Sequence, residues 1–385
     1  MYEFNLGTKV FYGTGCRSVI SSILKDNSWS NLGVVVDHNI SGNDKIKDLL
    51  SVISKLGVHL ITEPCTVSEP TYDFLDIIRD KFNDSAIRVI VGIGGGSTLD
   101  TAKAIAVLIN NKEPAIAYRG FNKMTGPVLP VIAIPTTAGT GSEVTPNASF
   151  VDVKEKRKMG INGEAIKPRY AILDPELTVS CPAKPSISAG VDSMVHAIEA
   201  YVAQKTNPLS RLLAKEGFKH VFLNLPLVIK EPQNIKYRDK VMYGAFLSGI
   251  ALMNSGTGPA AAMSYPLSVH FKIPHGIGGG IFLPYVIRYN VKNGYDQYAD
   301  LYESVVDLNC MENIGKNEKA QLFVEEIFLL WKALAIPDDL TKLGITHDFL
   351  PRFVQDTLEL KGALEQNPVL FSEDAIISVL KELKV

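Results

Sequence analysis

The 385-residue sequence predicts an N-terminal α/β domain followed by an all-helical domain. Two observations lead to this fold class. Strand-like apolar runs alternate with amphipathic helical segments over roughly the first 180 residues, a pattern typical of a mostly parallel sheet covered by helices. Four prolines then fall between Pro168 and Pro185, and the chain reads as helical from there almost to its end. We therefore expect two domains, at residues 1–180 and 181–385.

The individual segments follow from the period of their apolar residues. Strand-like runs lie at NLGVVVD (31–37), at VHLITE (58–63), within SAIRVIVGIGGG (85–96) and within GPVLPVIAIP (126–135). Spacings of three and four predict helices at 45–56, 71–84 and 97–110 in the first half, and helices that include 188–204, 210–229 and 318–335 in the second. No internal repeat interrupts this order.

Composition excludes several classes of protein. The formal net charge is −2, so there is no basic excess to neutralise a nucleic-acid backbone. No apolar run reaches membrane-spanning length, and the N-terminus does not read as a signal peptide. The four cysteines are scattered without a CxxC pair, which indicates reduced thiols in a cytoplasmic protein and argues against a cysteine-based zinc site.

A glycine-rich turn follows one of the predicted strands. Gly94, Gly95 and Gly96 lie directly before a helix, where glycine lets the backbone approach a ligand and free N–H groups attract phosphate. Ser97 can cap the helix or donate to phosphate, and Asp100 can hold the loop or a ribose. A tight strand-to-helix turn without a ligand would have the same residues, and the glycines come later than in the usual dinucleotide-binding layout.

Two further features suit a nucleotide. Asp37 ends an apolar strand, where a carboxylate can accept hydrogen bonds from an adenosine ribose. The loop PTTAGTGSEVT (135–145) offers hydroxyls for sugar and phosphate groups, among them Thr136, Thr137 and Thr140. A surface loop rich in turn-forming residues would have the same composition.

The strongest helical pattern in the second half carries an acid and an imidazole. Asp192 and His196 are four residues apart in AGVDSMVHAIEAYVA and therefore share one face of the helix. Together they can be ligands of a divalent metal. The same spacing would also allow an Asp–His hydrogen bond with a purely structural role.

Five motifs in a fixed order resemble the iron-containing (group III) alcohol dehydrogenase family. They are GGGSTLDTAKA, PTTAGTGSEVT, DPELT, GVDSMVHAIEAY and IPHGIGGGIFLPYVIRYN. The resemblance implies the fold shared by these enzymes and dehydroquinate synthase, with an active site in the cleft between the two domains. It also implies a homodimer that acts on a small alcohol or aldehyde. Nucleic-acid and membrane partners are not expected, because of the charge and the short apolar runs.

The resemblance assigns cofactor contacts to particular residues. NAD would be bound by Asp37, Gly94, Gly95, Gly96, Ser97, Asp100, Thr136, Thr137, Thr140, Lys158 and Leu177. Lys158 matches a lysine that reaches toward the nicotinamide ribose. An acid at position 37 favours NAD over NADP, because a carboxylate repels a 2′-phosphate.

The family holds its iron or zinc with one aspartate and three histidines. Asp192 and His196 match the first two ligands, and His275 in the PHG motif matches the last. The remaining histidine normally lies fourteen residues before the last, which is Ala261 in this sequence. We do not expect His270 to replace it, because nine residues along a helix place it on the opposite face. His270 is instead expected to be an exposed or satisfied surface imidazole.

These residues lead to an NAD(P)-dependent alcohol dehydrogenase or aldehyde reductase as the expected enzyme. Three protein ligands are enough for a catalytic zinc or iron. If no metal binds, His196 or His275 would act as general acid or base, helped by Tyr265. A dehydroquinate-synthase-like lyase and a weakly catalytic nucleotide-binding paralogue are also compatible with the sequence.

Overall fold

The computed structural model describes residues 1–67, 69–82, 86–306 and 314–384 of the chain. Its contacts divide the chain into two compact units. The sheet unit consists of Leu6–Pro182 and Gln233–Met242, and the helical unit consists of Met1–Asn5, Ala183–Pro232 and Tyr243–Val385. Each unit therefore takes one short segment from the other half of the sequence.

Six strands of the described chain form the main sheet of the sheet unit. They are β1 (Lys9–Tyr12), β2 (Asn31–Asp37), β3 (His59–Cys65), β4 (Val89–Gly94), β6 (Val131–Pro135) and β9 (Tyr170–Leu173). Their order across the sheet is β1-β9-β6-β4-β2-β3, and every pairing is parallel. The predicted parallel sheet is confirmed. The carboxyl ends of all six strands consequently lie at the same edge.

Both faces of this sheet are covered, as the continuous apolar runs predict. In β2, Val34 and Val36 face one apolar cluster and Val35 faces another. Helices α1 (Ile20–Asp26) and α2 (Asp44–Ser54) cover the first face, and α3 (Tyr72–Lys81) and α4 (Gly96–Leu108) cover the second. The strand alternation sends successive valines to opposite layers, which buries both.

A buried lysine ties α4 to the loop that follows β6. The Lys103 ammonium is fully buried and donates to the backbone carbonyls of Thr145 (3.0 Å) and Asn147 (2.7 Å). Its Nζ lies 3.8 Å from an Asp100 carboxylate oxygen. Burial lowers the pKa of Lys103 to about 8, and burial raises the pKa of nearby Glu143. The ammonium therefore fixes the middle of α4 relative to this loop.

A small second sheet was not predicted from the sequence. It consists of β5 (Gly120–Phe121), β7 (Asn147–Asp152) and β8 (Arg157–Asn162), with β7 and β8 antiparallel and β5 parallel to β8. These strands are mixed in polarity, and β1 and β9 of the main sheet have only four residues each. Their side-chain pattern alone does not distinguish them from loops.

The second half of the chain is helical, as predicted. Its helices are α5 (Ala183–Val202), α6 (Pro208–Lys230), α7 (Ile235–Met253), α8 (Pro259–Phe271), α9 (His275–Lys292), α10 (Ala299–Tyr302), α11 (Lys316–Ala333), α12 (Leu350–Leu358), α13 (Lys361–Leu364) and α14 (Glu373–Glu382). The first part of α7 belongs to the sheet unit. In the helical unit α5 packs against α6 and α9, and α8 packs against α9.

The glycines of GIGGG explain how closely α9 approaches its neighbours. A methyl group on Gly276 would overlap the carbonyl oxygen of Ser188 and lie 2.7 Å from Cβ of Asp192, both in α5. A methyl on Gly280 would lie 2.5 Å from Val191. The run of glycine in α9 therefore serves close contact between helices.

The sequence predicts no membrane-spanning segment and reduced cysteines. In the part of the chain that the structure describes, no helix is both long enough and apolar enough to cross a membrane. Among the described residues, Cys16, Cys65 and Cys181 are thiols outside any disulfide bond. Cys310 lies outside the described residues.

Replacing Lys103 with methionine tests the buried ammonium. We expect K103M to lower the free energy of unfolding by about 2–4 kcal/mol, because the carbonyls of Thr145 and Asn147 lose a donor and Glu143 loses a positive neighbour. Urea denaturation measures this change, and K47M, at an exposed position of α2, is the matched control.

Wild type and K103M should also differ in how their free energy of unfolding depends on pH. The folded pKa of Lys103, about 8, lies below its ordinary value of 10.5, so the unfolded chain binds more protons in that interval. The part of the stability that depends on ionisation of Lys103 is therefore complete above pH 10.5 and is lost as the pH falls to 8, whereas its hydrogen bonds to Thr145 and Asn147 do not require a particular pH. The stability difference between wild type and K103M should grow as the pH rises through this interval; a difference that shrinks would contradict the assignment.

The packing of α9 is tested by two alanine substitutions in one helix. Gly276→Ala should destabilise the protein by about 3 kcal/mol, because the new methyl overlaps rigid backbone of α5. Gly279→Ala is the control, since its methyl would lie 3.4 Å from the Val195 side chain, an ordinary contact. Thermal denaturation compares them. Equal melting temperatures would show that α9 can move away from α5 without loss.

Candidate active site

The glycine turn joins β4 to α4 at the carboxyl edge of the main sheet. Gly95 is the N-cap residue of α4, with φ −76° and ψ −176°. A glycine N-cap has no side-chain oxygen to accept from the first helical N–H groups. Together with the positive end of the helix dipole, these amides form a candidate anion-binding position.

Asp37, at the end of β2, lies beside this turn. A methyl on Gly94 would lie 2.9 Å from Cβ of Asp37 and 2.7 Å from Thr98, so the three residues are in close contact. The Asp37 carboxylate accepts hydrogen bonds from the backbone N–H (2.9 Å) and the side-chain amide (3.1 Å) of Asn39. The end of β2 thus presents a carboxylate next to the anion-binding position.

The threonine-rich loop after β6 lies along the glycine turn. The backbone N–H of Thr136 donates to the carbonyl of Gly94 at 3.0 Å. A methyl on Gly96 would lie 2.5 Å from the Thr140 methyl, whereas a methyl on Gly95 would lie 3.4 Å from the Thr137 hydroxyl. The structure therefore brings the predicted glycines and threonines together.

Asp100 has a structural role in this arrangement. Its carboxylate accepts from the Ser142 hydroxyl at 2.6 Å and from the backbone N–H of Ser149 at 2.9 Å. Of the two roles predicted for Asp100, holding the loop is the one that its contacts support. Ser97 is half-buried in the first turn of α4, and its carbonyl accepts from the Thr101 hydroxyl.

Leu177 and Lys158 are the two remaining residues predicted to bind the cofactor. Leu177 is buried in the apolar cluster beneath α1 and α2. Lys158 lies on β8, and its ammonium pairs with the Glu69 carboxylate at 2.6 Å.

Asp192, His196 and His275 converge within the helical unit. One ligand atom from each residue can be chosen so that all three lie within 4.8 Å of one another. Nε2 of His196 is 3.5 Å from Oδ1 of Asp192, and Nε2 of His275 is 3.9 Å from the same oxygen. Asp192 and His196 are buried, and His275 is half-buried. The i, i+4 spacing on α5 and the start of α9 create this cluster.

The donor set fits a divalent metal. Ligand atoms about 2.1 Å from a tetrahedral ion lie about 3.4 Å from one another. The separation of Asp192 Oδ1 from His196 Nε2 is close to this value, and its separation from His275 Nε2 is longer. Both separations are too long for strong hydrogen bonds. Nδ1 of His196 is buried without a hydrogen-bond partner among the described residues. A carboxylate with two imidazoles suits iron or zinc equally, so the donor types do not select between them.

His275 is held by two residues of α8. Its Nδ1 is 2.6 Å from the hydroxyl of Ser264, and its ring contacts Tyr265 edge to face, with ring centroids 5.1 Å apart. Ser264 was not singled out from the sequence. A serine in an apolar helix has no distinctive signal unless the partner histidine is known to pack against it.

Ala261 and His270 lie on the same helix. Ala261 is buried and lies three residues before Ser264, on the same face of α8. Nε2 of His270 lies 2.9 Å from the Asp356 carboxylate, and its ring packs against Phe349. His270 is therefore a satisfied imidazole, as the sequence analysis favoured.

Glu199 is a second residue that the sequence analysis missed. Its buried carboxylate accepts from the backbone N–H groups of Gly258 (2.7 Å), Ala260 (2.7 Å) and Ala261 (3.2 Å), which start α8. Burial raises the pKa of Glu199 to about 7, although these three donors lower it. Its position three residues after His196 on α5 was the available signal.

Comparison with known families covers nearly the whole chain. Residues 7–175 match the profile described as "Iron-containing alcohol dehydrogenase", and residues 186–384 match "Fe-containing alcohol dehydrogenase family, C-terminal".

Curated relatives and solved structures agree with this match. The chain is similar to an NAD-dependent methanol dehydrogenase of Bacillus methanolicus (29% identity, 99% of each chain) and to a sulfoacetaldehyde reductase of Bilophila wadsworthia (30% identity, 97% of this chain and 96% of the other). Its fold is similar to the structure of a sulfoacetaldehyde reductase from Bifidobacterium kashiwanohense in complex with NAD+ (TM-score 0.89, 25% identity, 100% and 98% covered). The chain belongs to the iron-containing alcohol dehydrogenase family.

Proposed function

We propose that this protein is an NAD-dependent oxidoreductase that interconverts a small alcohol and its aldehyde or ketone. The observation that carries the proposal is the convergence of Asp192, His196 and His275 in one unit of a family whose relatives are alcohol and aldehyde oxidoreductases. When bound, the metal supplies Lewis-acid polarisation of the substrate oxygen and the nicotinamide supplies hydride transfer.

The sheet unit would bind the dinucleotide. The N–H groups at Gly95 and Gly96 are positioned for a pyrophosphate, and the hydroxyls of Thr137 and Thr140 lie beside them. The Asp37 carboxylate at the end of β2 would accept from the adenosine ribose, and its charge favours NAD over NADP. Lys158 and Leu177 remain proposals from the family resemblance.

The helical unit would hold the metal with three protein ligands. We propose that Ala261 occupies the position at which the family carries a third histidine. The metal would then have one more coordination position open to substrate or water than it has in the family. Catalytic metal sites with three protein ligands are common. A cytoplasmic homodimer remains an expectation from the sequence.

Nucleotide binding is tested by adding one methyl group to the glycine turn. Gly95→Ala should leave stability unchanged, because its backbone angles suit alanine and its nearest neighbour is 3.4 Å away. It should weaken NADH binding at least tenfold, about 1.4 kcal/mol, because the methyl occupies space needed by the phosphates. Titration by NADH fluorescence measures this loss.

Gly42→Ala is the control for that experiment, since a methyl there meets no atom within 4 Å. Equal NADH affinity of Gly95→Ala and wild type would exclude the glycine turn as the phosphate site.

Catalysis is tested by comparing the two histidines of one segment. His275→Ala should lower kcat/KM for NADH-dependent reduction of short aldehydes by at least a hundredfold, because a metal ligand is lost. His270→Ala, which removes only the contact with Asp356, should retain most of the activity. NADH absorbance measures both variants on a panel of alcohols and aldehydes.

The same assay separates the competing functions. Net oxidation of NADH with substrate contradicts a lyase that returns its cofactor unchanged. The proposal is overturned if wild type binds NADH but converts no member of the panel, or if His275→Ala is fully active.

A further inference from the structure

The hydroxyl group of Ser264 lies between two polar atoms. Its Oγ is 2.6 Å from the backbone carbonyl oxygen of Ala261 and 2.6 Å from Nδ1 of His275. A serine hydroxyl has one proton to donate and lone pairs with which to accept, whereas a carbonyl can only accept. The hydroxyl proton is therefore directed to Ala261, and the hydroxyl oxygen accepts a proton from Nδ1 of His275.

We propose that Ser264 is a positioning residue that fixes His275 as the Nδ1–H tautomer. The inference deepens the proposed function and rests on it, because the tautomer of His275 determines whether its Nε2 can bind the proposed metal. With the proton on Nδ1, Nε2 carries a lone pair directed to the cluster with Asp192. This is the form of histidine that binds a metal without first losing a proton.

The distance between Nε2 and the carboxylate supports this tautomer. Nε2 of His275 and Oδ1 of Asp192 are 3.9 Å apart, beyond hydrogen-bond range. In the Nδ1–H tautomer, both atoms are acceptors, so no hydrogen bond can form between them. A bound divalent metal would be held by the lone pairs of both residues.

His196 differs from His275 in this respect. Nδ1 of His196 is buried, and no described residue hydrogen-bonds to it. The protein therefore presets the tautomer of one imidazole and leaves that of the other to the bound group. Ser264 accordingly fixes the tautomer of one proposed ligand without being a ligand itself.

The packing of α8 against α9 keeps Ser264 in place. A methyl on Gly278 would lie 3.0 Å from Cβ and 3.2 Å from Cα of Ser264, so glycine allows the two helices to approach closely. Ser264 itself is fully buried, and Glu199 holds the first turn of its helix. The hydroxyl has little freedom to rotate away from His275.

Nitrogen NMR of the metal-free protein tests the tautomer directly. Histidine labelled with 15N would be observed at about pH 8, above the ordinary histidine pKa, through long-range 1H–15N correlations. The His275 signals are those missing in His275→Gln. We expect Nδ1 to carry the proton in wild type, and we expect Ser264→Ala to raise the population of the Nε2–H tautomer.

Ser268→Ala is the matched control. Ser268 is also buried on α8, but its hydroxyl donates to the carbonyl of Ile273 at 3.0 Å. Its removal should leave the His275 tautomer unchanged. A second readout is Zn2+ affinity by calorimetry, which should fall about tenfold in Ser264→Ala and remain unchanged in Ser268→Ala.

Each outcome decides the proposal. An Nε2–H tautomer in wild type overturns it, even if Ser264→Ala does not fold. An unchanged tautomer in folded Ser264→Ala also overturns it. If wild type binds no Zn2+ but shows the Nδ1–H tautomer, the metal proposal fails while the assignment of Ser264 is supported.

Discussion

Direct contact between α9 and α5 at Gly276 is the constraint on which the cluster of Asp192, His196 and His275 depends. Because no side chain separates the helices there, the first residue of α9, His275, lies against the part of α5 that carries Asp192. Glu199, further along α5, caps α8 and thereby places Ser264 against His275. Three helices are thus held together by close packing and buried hydrogen bonds. That packing determines the positions of the three candidate ligands.

The sheet unit obtains its candidate site in a different way. Parallel strands bring the ends of β2, β4 and β6 to one edge, where ligands of open α/β sheets commonly bind. The buried Lys103 ammonium and the Asp100 carboxylate then hold the threonine-rich loop against the glycine turn. Fixing this loop costs the desolvation of a charge, which the carbonyl and carboxylate neighbours offset. Polar groups, rather than apolar packing, set the shape of this edge.

Sequence patterns predicted the features that depend on local spacing. The strand ending at Asp37 follows from a continuous apolar run, the turn at Gly94–Gly96 from glycines between a strand and a helix, and the pair Asp192 and His196 from helical spacing. Contacts between distant segments did not follow, among them the hydroxyl of Ser264 on His275 and the carboxylate of Glu199 on α8. The short strands β7 and β8 were missed because their stability comes from pairing with each other. What the sequence left open was therefore mainly the set of residues that support the site.

The central claim is that Asp192, His196 and His275 suffice to hold one metal ion. Elemental analysis of wild type and Asp192→Ala, both purified without chelator and then supplied with Fe2+ or Zn2+, tests it most directly. The account predicts about one metal per chain in wild type and a large loss in Asp192→Ala, with NADH binding retained in both. Wild-type protein that binds NADH but retains neither metal would contradict it.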